Sequence, residues 1–442
     1  MGITAFLSIF FLAYLLIYAL VVGGDSLILS PYLIITIILI FMVPISMFLY
    51  YLSIKNKKTN VFKFEREEYS VSKTGKKVVK NERYKRFSEL VELDFEEEHR
   101  VKDIVYDEVT SLKDFTESFR NYCASKKKLY YSIDDVRSFI ANLTTSKIMI
   151  LQGMSGTGKT SIALAFEDFI GNQTTVIAVQ PMWKDRSDLI GYFNEFTKKF
   201  NETPLLKELY RSNFSDRIFI IILDEVNIAR IEYYFAEFLS LLEYPNAEQR
   251  TLEITNDSWS KDPKKLVEGR LPIRPNVYFL GTANNDESTF SISDKVYDRA
   301  MIINLDKKAK SFEAQEQDRI RISNKNLENL AERAQNEYKE TEKIEEWIEF
   351  FNKISNDMFS INFGNRMIVQ LKKFIPVYVA CGGTAEDAFD DFVSKKILRK
   401  LEGKDALRIS QYIGPFIEEF NRYFGVKNMP KCKAYLRKFE IR

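Results

Sequence analysis

Apolar residues are distributed unevenly along the chain. Residues 3–22 contain no charged side chain, and a second apolar run extends from about residue 32 to residue 52. At a rise of about 1.5 Å per residue, a run of about 20 residues is long enough to cross the roughly 30 Å hydrocarbon layer of a membrane. The pattern therefore predicts two transmembrane helices within residues 1–54, with a pair of buried core helices as the alternative.

The flanking residues indicate how these helices are oriented. A cleaved signal peptide would begin with basic residues, whereas no basic side chain precedes the first run and a second run follows directly. Lysines are frequent just after the second run, from Lys55 to Lys63, and the loop between the runs carries only Asp25. By the positive-inside rule we expect both termini and the rest of the chain in the cytoplasm, anchored at a bacterial inner membrane.

The pattern changes at about residue 131, where short apolar runs begin to alternate with stretches of helical spacing. The predicted strands are residues 148–151, 176–179, 218–223, 277–280 and 301–305. Continuous apolar strands separated by helices are typical of a parallel sheet that is covered on both faces. Beyond residue 307 the chain is amphipathic and helical, which predicts an α/β domain followed by a helical lid. Residues 55–130 lack a clear pattern and are interpreted as a linker without an assigned function.

Composition excludes some kinds of chemistry. The formal net charge is +2, so no overall positive charge indicates nucleic-acid binding. The three cysteines lie far apart and His99 is the only histidine, so a Cys/His metal site or a Cys–His catalytic pair lacks its parts.

A phosphate-binding motif follows the first predicted strand directly. It fills every position of the pattern G-x-x-x-x-G-K-[ST] with Gly153, Met154, Ser155, Gly156, Thr157, Gly158, Lys159 and Thr160. Its glycines let backbone N–H groups turn toward phosphate oxygens, and the next helix adds the partial positive charge of its N-terminus. We expect Lys159 to contact the β- and γ-phosphates of a nucleoside triphosphate and Thr160 to bind Mg²⁺.

The third predicted strand ends in two carboxylates, Asp224 and Glu225. Because strand ends of a parallel sheet meet at one edge, these acids are expected beside the phosphates. Asp224 would then help to hold Mg²⁺, and Glu225 would orient and polarise the attacking water. A strand that ends in Asp-Glu is common, and its position downstream of the phosphate loop favours the catalytic interpretation over a surface turn.

Longer motifs resemble the McrB-type and MoxR-like branch of AAA+ ATPases, the AAA_5 group. These motifs are DEVNIAR at 224–230, YYFAEFL at 233–239, LGTANND at 280–286 and SDKVYDRA at 293–300. The resemblance covers about residues 131–401. It implies a P-loop AAA+ core at residues 131–310 with strand order 5-1-4-3-2, and a helical lid at residues 311–442. The apolar runs occupy the place of the DNA-reading domain of McrB-like restriction proteins, so the resemblance does not extend to recognition of modified DNA.

The resemblance also implies roles for single residues. Asn284 matches the sensor 1 position, where it would help Glu225 to orient the water. Arg299 resembles the arginine finger, which a subunit donates to the nucleotide of its neighbour, and a salt bridge to a nearby aspartate is the alternative. Arg366 resembles the sensor 2 position at the start of a lid helix.

An arginine finger that acts on a neighbour implies self-association, most simply a hexameric ring with ATP and Mg²⁺ at the subunit interfaces. GTP remains an alternative to ATP because McrB-type members use it. Contact with nucleic acid also remains an alternative, although no feature of the sequence supports it. Three functional classes follow. The first is a motor that remodels or activates an effector partner, as in antiphage defence, and the second is a MoxR-like chaperone for a membrane or metal-dependent complex. The third is a nucleotide-gated assembly scaffold.

Residues 243–276 are predicted to be an insertion that contains a hairpin, in which residues 250–256 pair with residues 270–274. Its tip would lie near Trp259 and several lysines. We expect an exposed aromatic side chain there that grips a polymer, with an ordinary solvated hairpin as the alternative. Trp183 is expected to be a packing residue.

Overall fold

The computed structural model describes residues 69–71, 77–79, 85–100, 104–284, 289–306 and 309–440. The chain divides into two units, Met1–Tyr69 and Ser70–Arg442, and the description below concerns the second. The predicted transmembrane helices lie outside the described residues. Among the residues that are described, none forms a helix with the length and apolar character required to span a bilayer.

Five parallel strands form the central sheet. In chain order they are Ile148–Gly153, Thr175–Ala178, Phe219–Asp224, Val277–Asn284 and Met301–Asn304. Across the sheet they follow the order 5-1-4-3-2, which confirms the predicted topology. The central strands are buried almost throughout, as their continuous apolar runs require in a sheet with both faces covered.

Alternate residues of the strands belong to two hydrophobic clusters, one on each face. In the first strand Met149 and Leu151 join one cluster, and Ile148 and Ile150 join the other. Successive side chains of a strand point to opposite faces, so each strand contributes to both clusters. The first cluster continues without a break from the sheet into the lid. Core and lid therefore share one hydrophobic interior.

The helices lie on both faces of the sheet and in the lid. Those before the fifth strand are Glu89–His99, Leu112–Lys127, Ile133–Thr145, Lys159–Phe169, Arg186–Ile190, Pro204–Arg211, Ile231–Tyr234, Ala236–Leu241 and Asp294–Tyr297. The lid contains Asn324–Glu337, Thr341–Phe359, Asn365–Ala380, Ala385–Phe392, Ala406–Phe424 and Pro430–Leu436, with a π-turn at Val393–Ile397 and a 3-10 turn at Leu398–Leu401. The predicted helical lid is thus present.

The helix Leu112–Lys127 lies where the sequence analysis placed a linker. Its Phe115 and Phe119 are buried and pack on Phe166 and Phe169 of the helix that follows the phosphate loop. The structure therefore differs from the expectation for this segment. The apolar residues that form the buried face are separated by charged ones, and this weakens the sequence signal of the helix.

The insertion contains the predicted hairpin, in which Thr251–Glu253 pairs antiparallel with Arg270–Pro272. The expectation of an exposed aromatic side chain at its tip is wrong. Trp259 is only 9% exposed, and its indole N–H donates to Asp257 Oδ2 over 2.9 Å. The guanidinium of Arg86 lies 4.8 Å from the centre of the Trp259 ring. Trp259 is thus covered by Arg86 on the preceding segment and by Phe193 of the core, whose ring centre lies 6.0 Å from its own.

Candidate nucleotide-binding site

The phosphate loop joins the first strand to the helix Lys159–Phe169. Gly158 precedes this helix with φ of 92°, a left-handed conformation that favours glycine. A Cβ atom on Gly153 would approach the carbonyl oxygen of Leu305 to 2.5 Å, so only glycine fits beside the fifth strand. These two positions explain why the motif requires glycine at its first and sixth residues.

The backbone of the loop offers hydrogen-bond donors. Within the described chain, no backbone N–H group from Met154 to Gly158 donates to another residue. The loop also opens the first turn of an 11-residue helix, where further N–H groups lack intrahelical acceptors. Such a concave group of N–H donors at a helix N-terminus fits the oxygens of a phosphate.

Lys159 is held along the same loop. Its ammonium group donates to the carbonyl oxygens of Gly153, over 3.0 Å, and of Met154, over 2.8 Å. Only 7% of the residue is exposed. A buried cation therefore lies at the mouth of the phosphate loop, in the position that the motif predicts.

Oxygen atoms that suit Mg²⁺ converge beside this lysine. Thr160 Oγ1 donates to Asp224 Oδ1 over 3.0 Å, so the structure brings the two predicted metal-binding residues together. In the described part of the chain no cluster of three or more His, Cys, Asp or Glu side chains forms a metal site. A hydroxyl and a single carboxylate fit Mg²⁺, because this ion takes few protein ligands and completes its shell with water and phosphate oxygens.

The predicted catalytic pair is also assembled. Asn284 Nδ2 donates to Glu225 Oε1 over 3.2 Å. Glu225 has φ of 57°, a left-handed conformation that is unfavourable for a residue with a Cβ atom. Its side chain is exposed at the sheet edge, where water can reach it. Backbone strain of this kind persists only where neighbouring contacts impose it, and it is concentrated at functional sites.

Thr282 imposes that conformation and was not identified from the sequence. Its hydroxyl donates to Asp224 Oδ1 over 2.6 Å and accepts from the backbone N–H of Glu225 over 2.9 Å. One side chain thus positions both acids. The signal was present in the motif LGTANND, because Thr282 is two residues before Asn284 and so lies on the same side of the strand.

Asn227 is the second residue that sequence reasoning missed. It is 5% exposed, and its amide group donates to the carbonyl of Asn284 over 2.8 Å and accepts from the Asn284 N–H over 3.3 Å. This pair of bonds fixes the end of the fourth strand. Asn227 therefore positions the backbone from which the Asn284 side chain reaches Glu225.

Arg299 lies at the amino ends of the strands, whereas the phosphate loop and the paired acids lie at the carboxyl ends. It precedes the fifth strand by two residues, and the first residue of that strand, Met301, pairs with Met149. Four residue steps separate Met149 from Gly153, which is about 13 Å along a parallel strand. Arg299 is therefore remote from the phosphate loop of the same chain.

The two predicted arginines share one partner. Arg299 forms an ion pair with Glu243 through Nε, and Arg366 contacts the same oxygen of Glu243 through Nη2 at 2.8 Å. Arg366 is the second residue of the helix Asn365–Ala380, as predicted, and it lies beside Arg299. The alternative of a local aspartate partner for Arg299 is not what the structure shows.

Together, the parallel sheet, the phosphate loop and the paired acids define a P-loop nucleotide-binding protein. Residues 148–300 match the family model of the AAA domain of the dynein-related subfamily. A search among curated proteins found no match.

Two solved structures are similar to this chain. One is a candidate ATPase of Cytophaga hutchinsonii, with 17% identity and a TM-score of 0.43, covering 70% of this chain and 98% of that one. The other is a full-length MCM homologue of Methanopyrus kandleri, with 11% identity and a TM-score of 0.39, covering 67% of this chain and 64% of that one.

Replacing Thr282 by valine tests its role as the residue that positions both acids. Valine keeps the shape of the side chain but removes the hydroxyl, so Asp224 loses a donor and the N–H of Glu225 loses its acceptor. We expect nucleotide hydrolysis to fall roughly tenfold and the Mg²⁺ concentration for half-maximal activity to rise, as is typical when a support of a metal ligand is removed. Thr282→Ser keeps the hydroxyl and serves as the control. Equal activity of the valine variant and the wild type would contradict this role.

Proposed function

We propose that the protein is a nucleoside triphosphatase that hydrolyses ATP, with GTP as the alternative, in a ring of identical subunits. The observation that carries the proposal is the meeting of Thr160, Asp224, Glu225 and Asn284 at one edge of the sheet. A nucleotide-gated scaffold would not need Glu225 and Asn284 in contact, because binding alone does not require a water to be activated.

Each residue has a role that follows from its position. The loop N–H groups and Lys159 would hold the phosphates, and Thr160 and Asp224 would hold Mg²⁺. The metal ion, when bound, neutralises charge on the phosphate oxygens. Glu225 would accept a hydrogen bond from the attacking water and take up its proton. The hydrogen bond from Asn284 would keep the Glu225 carboxylate oriented toward that water. Hydrolysis then depends mainly on positioning and electrostatic stabilisation.

The location of Arg299 is an argument for the proposed ring. A cation at the edge opposite to the phosphate loop serves hydrolysis only if a second subunit presents its nucleotide there. The same surface cannot face itself in this contact, so the interface is heterologous. Such an interface closes into a ring, most simply a hexamer, when the rotation between subunits permits it. Arg366 lies on the same edge and would face the same nucleotide.

We also propose that the ring is anchored to a membrane by residues 1–54 and acts on a partner protein. The resemblance to McrB-type proteins favours a motor that activates an effector in antiphage defence, and a MoxR-like chaperone would use the same site. Within the described residues, the segment just before the helix Glu89–His99 is attached to the insertion hairpin through the buried Arg86, which pairs with Asp257 and Asp262.

Glu225→Gln tests the hydrolysis step. The amide keeps the size of the side chain but cannot take a proton, so we expect turnover to fall roughly 100-fold or more while nucleotide binding is kept. Hydrolysis measured by phosphate release and binding measured with a fluorescent nucleotide separate the two effects. Glu248→Gln, at an exposed glutamate outside the site, is the control. Unchanged turnover in Glu225→Gln would remove Glu225 from catalysis.

A mixture of Arg299→Ala and Lys159→Ala subunits tests the arrangement between subunits. Each variant alone is expected to be inactive, because one lacks the donated cation and the other lacks the phosphate-binding lysine. In mixed rings about a quarter of the interfaces join an intact phosphate loop to an intact Arg299, so part of the activity returns. The control mixes Arg299→Ala subunits with subunits that carry both substitutions. The doubly substituted subunits supply neither the donated arginine nor the phosphate-binding lysine. Intact mixed rings without activity would contradict the finger assignment.

Membrane anchoring is tested by fractionation of cells that express the full-length chain. Two helices that cross the bilayer hold a protein in the membrane pellet through a wash with alkaline carbonate, and only detergent releases it. A protein bound through surface charges is released by the wash. Recovery of the chain in the carbonate supernatant would argue against the transmembrane helices.

A further inference from the structure

A groove of about 680 Å³ runs along the amino ends of the first and fifth strands, between the core and the lid. Arg299, Arg366 and Glu243 line it, and cationic side chains outnumber carboxylates along its walls. A concave surface with an excess of cations attracts an anion. The phosphate loop lies at the other edge of the sheet, so this groove is separate from the nucleotide site of the same subunit.

Glu243 stands at the centre of this charge distribution. It follows the short helix Ala236–Leu241, and one of its carboxylate oxygens contacts both guanidinium groups. Two arginines on one carboxylate leave one positive charge without compensation. The Glu243 side chain is 32% exposed, so it can exchange this ion pair for water without crossing the protein interior.

Arg299 is fixed without the help of Glu243. Its Nη1 donates to the carbonyl of Lys295 over 2.8 Å. Its own carbonyl accepts from Ser146 Oγ over 3.2 Å and from Gln370 Nε2 over 3.1 Å. These bonds come from the core and from the lid, so the position of Arg299 does not depend on the carboxylate. What Glu243 supplies is negative charge.

We infer that Glu243 is a resident counter-ion that occupies the arginine pair in the single subunit and is displaced by a phosphate of the neighbouring subunit's nucleotide. The inference rests on the proposed ring. A phosphate carries more charge than a carboxylate and offers several oxygens to two guanidinium groups, so it wins the exchange. Until a loaded neighbour arrives, the arginines stay paired and the groove is closed to weaker anions.

A different role for Glu243 is a structural ion pair that joins the lid to the core. Removing its charge would then weaken the fold or change nothing, as is usual for exposed pairs. Any gain in anion binding would then be no larger than the gain from neutralising another carboxylate of the groove. The two roles therefore differ in the size of the effect on anion binding relative to that of a matched groove carboxylate.

The direct test measures binding of inorganic tripolyphosphate to the full-length chain by calorimetry. All proteins carry Lys159→Ala, which disables the phosphate loop and leaves the groove as the measured site. We expect Glu243→Gln to bind tripolyphosphate about fivefold more tightly than its parent, because the competing carboxylate is gone. Glu332→Gln removes the same charge from the same groove, at a residue that forms an ion pair with neither arginine in the described structure, and should have a smaller effect.

Adding Arg366→Ala to Glu243→Gln should return the affinity to the value of the parent or below. Equal affinity of Glu243→Gln and its parent, or an equal gain in Glu332→Gln, would overturn the inference. The measurement needs neither hydrolysis nor a ring, so it stands even if the mixed-subunit experiment fails. In that case the arginines bind an anion that competes with Glu243, and only the ring as its source is lost.

Discussion

The five core strands all run in the same direction, and this constraint decides which residues can meet. Their carboxyl ends lie at one edge of the sheet, where Asn284 pairs in register with Gly153 and the third strand ends at Asp224. The loop after the first strand, the acids after the third and the amide of the fourth are thereby brought within hydrogen-bonding distance. The segment that enters the fifth strand must begin at the opposite edge, and this places Arg299 far from them. If one of these strands ran in the opposite direction, the residues at its two ends would exchange places.

The lid is hydrogen-bonded to the backbone at and beside Arg299. The Lys396 ammonium group donates to the carbonyl of Ala300 over 2.9 Å and to the side chain of Gln370, and the latter donates to the carbonyl of Arg299. Burial lowers the pKa of Lys396 to about 7, against the opposing effect of Asp298. This buried amino group donates to the turn and to Gln370, and it thereby ties two lid elements to the backbone of Arg299. A change in the lid position therefore acts on Arg299 directly.

Most of the core could be predicted from the sequence, because its signals are local. Each strand is a continuous apolar run, and the residues that follow strands one, three and four form motifs with fixed spacing. Thr282 was within reach of the same reasoning, since its place on the strand follows from that of Asn284. Glu243 was not, because nothing in its neighbourhood in sequence connects it with Arg299 or Arg366. Its role depends on the docking of the lid, which is a contact between distant parts of the chain.

The burial of Trp259 was missed for a related reason, and it bears on how the domain is joined to the segment before it. Arg86, 3% exposed, donates to Asp257 over 2.5 Å and to Asp262 over 2.6 Å, while Glu202 accepts three backbone N–H groups at the start of the helix Glu89–His99. The Asp262 side chain is 4% exposed, and removing one partner from a buried ion pair such as Arg86–Asp262 costs about 3–5 kcal/mol. The segment from residue 85 and the insertion hairpin are therefore bound more firmly than a flexible linker would be. A displacement of the hairpin must therefore carry Arg86 with it.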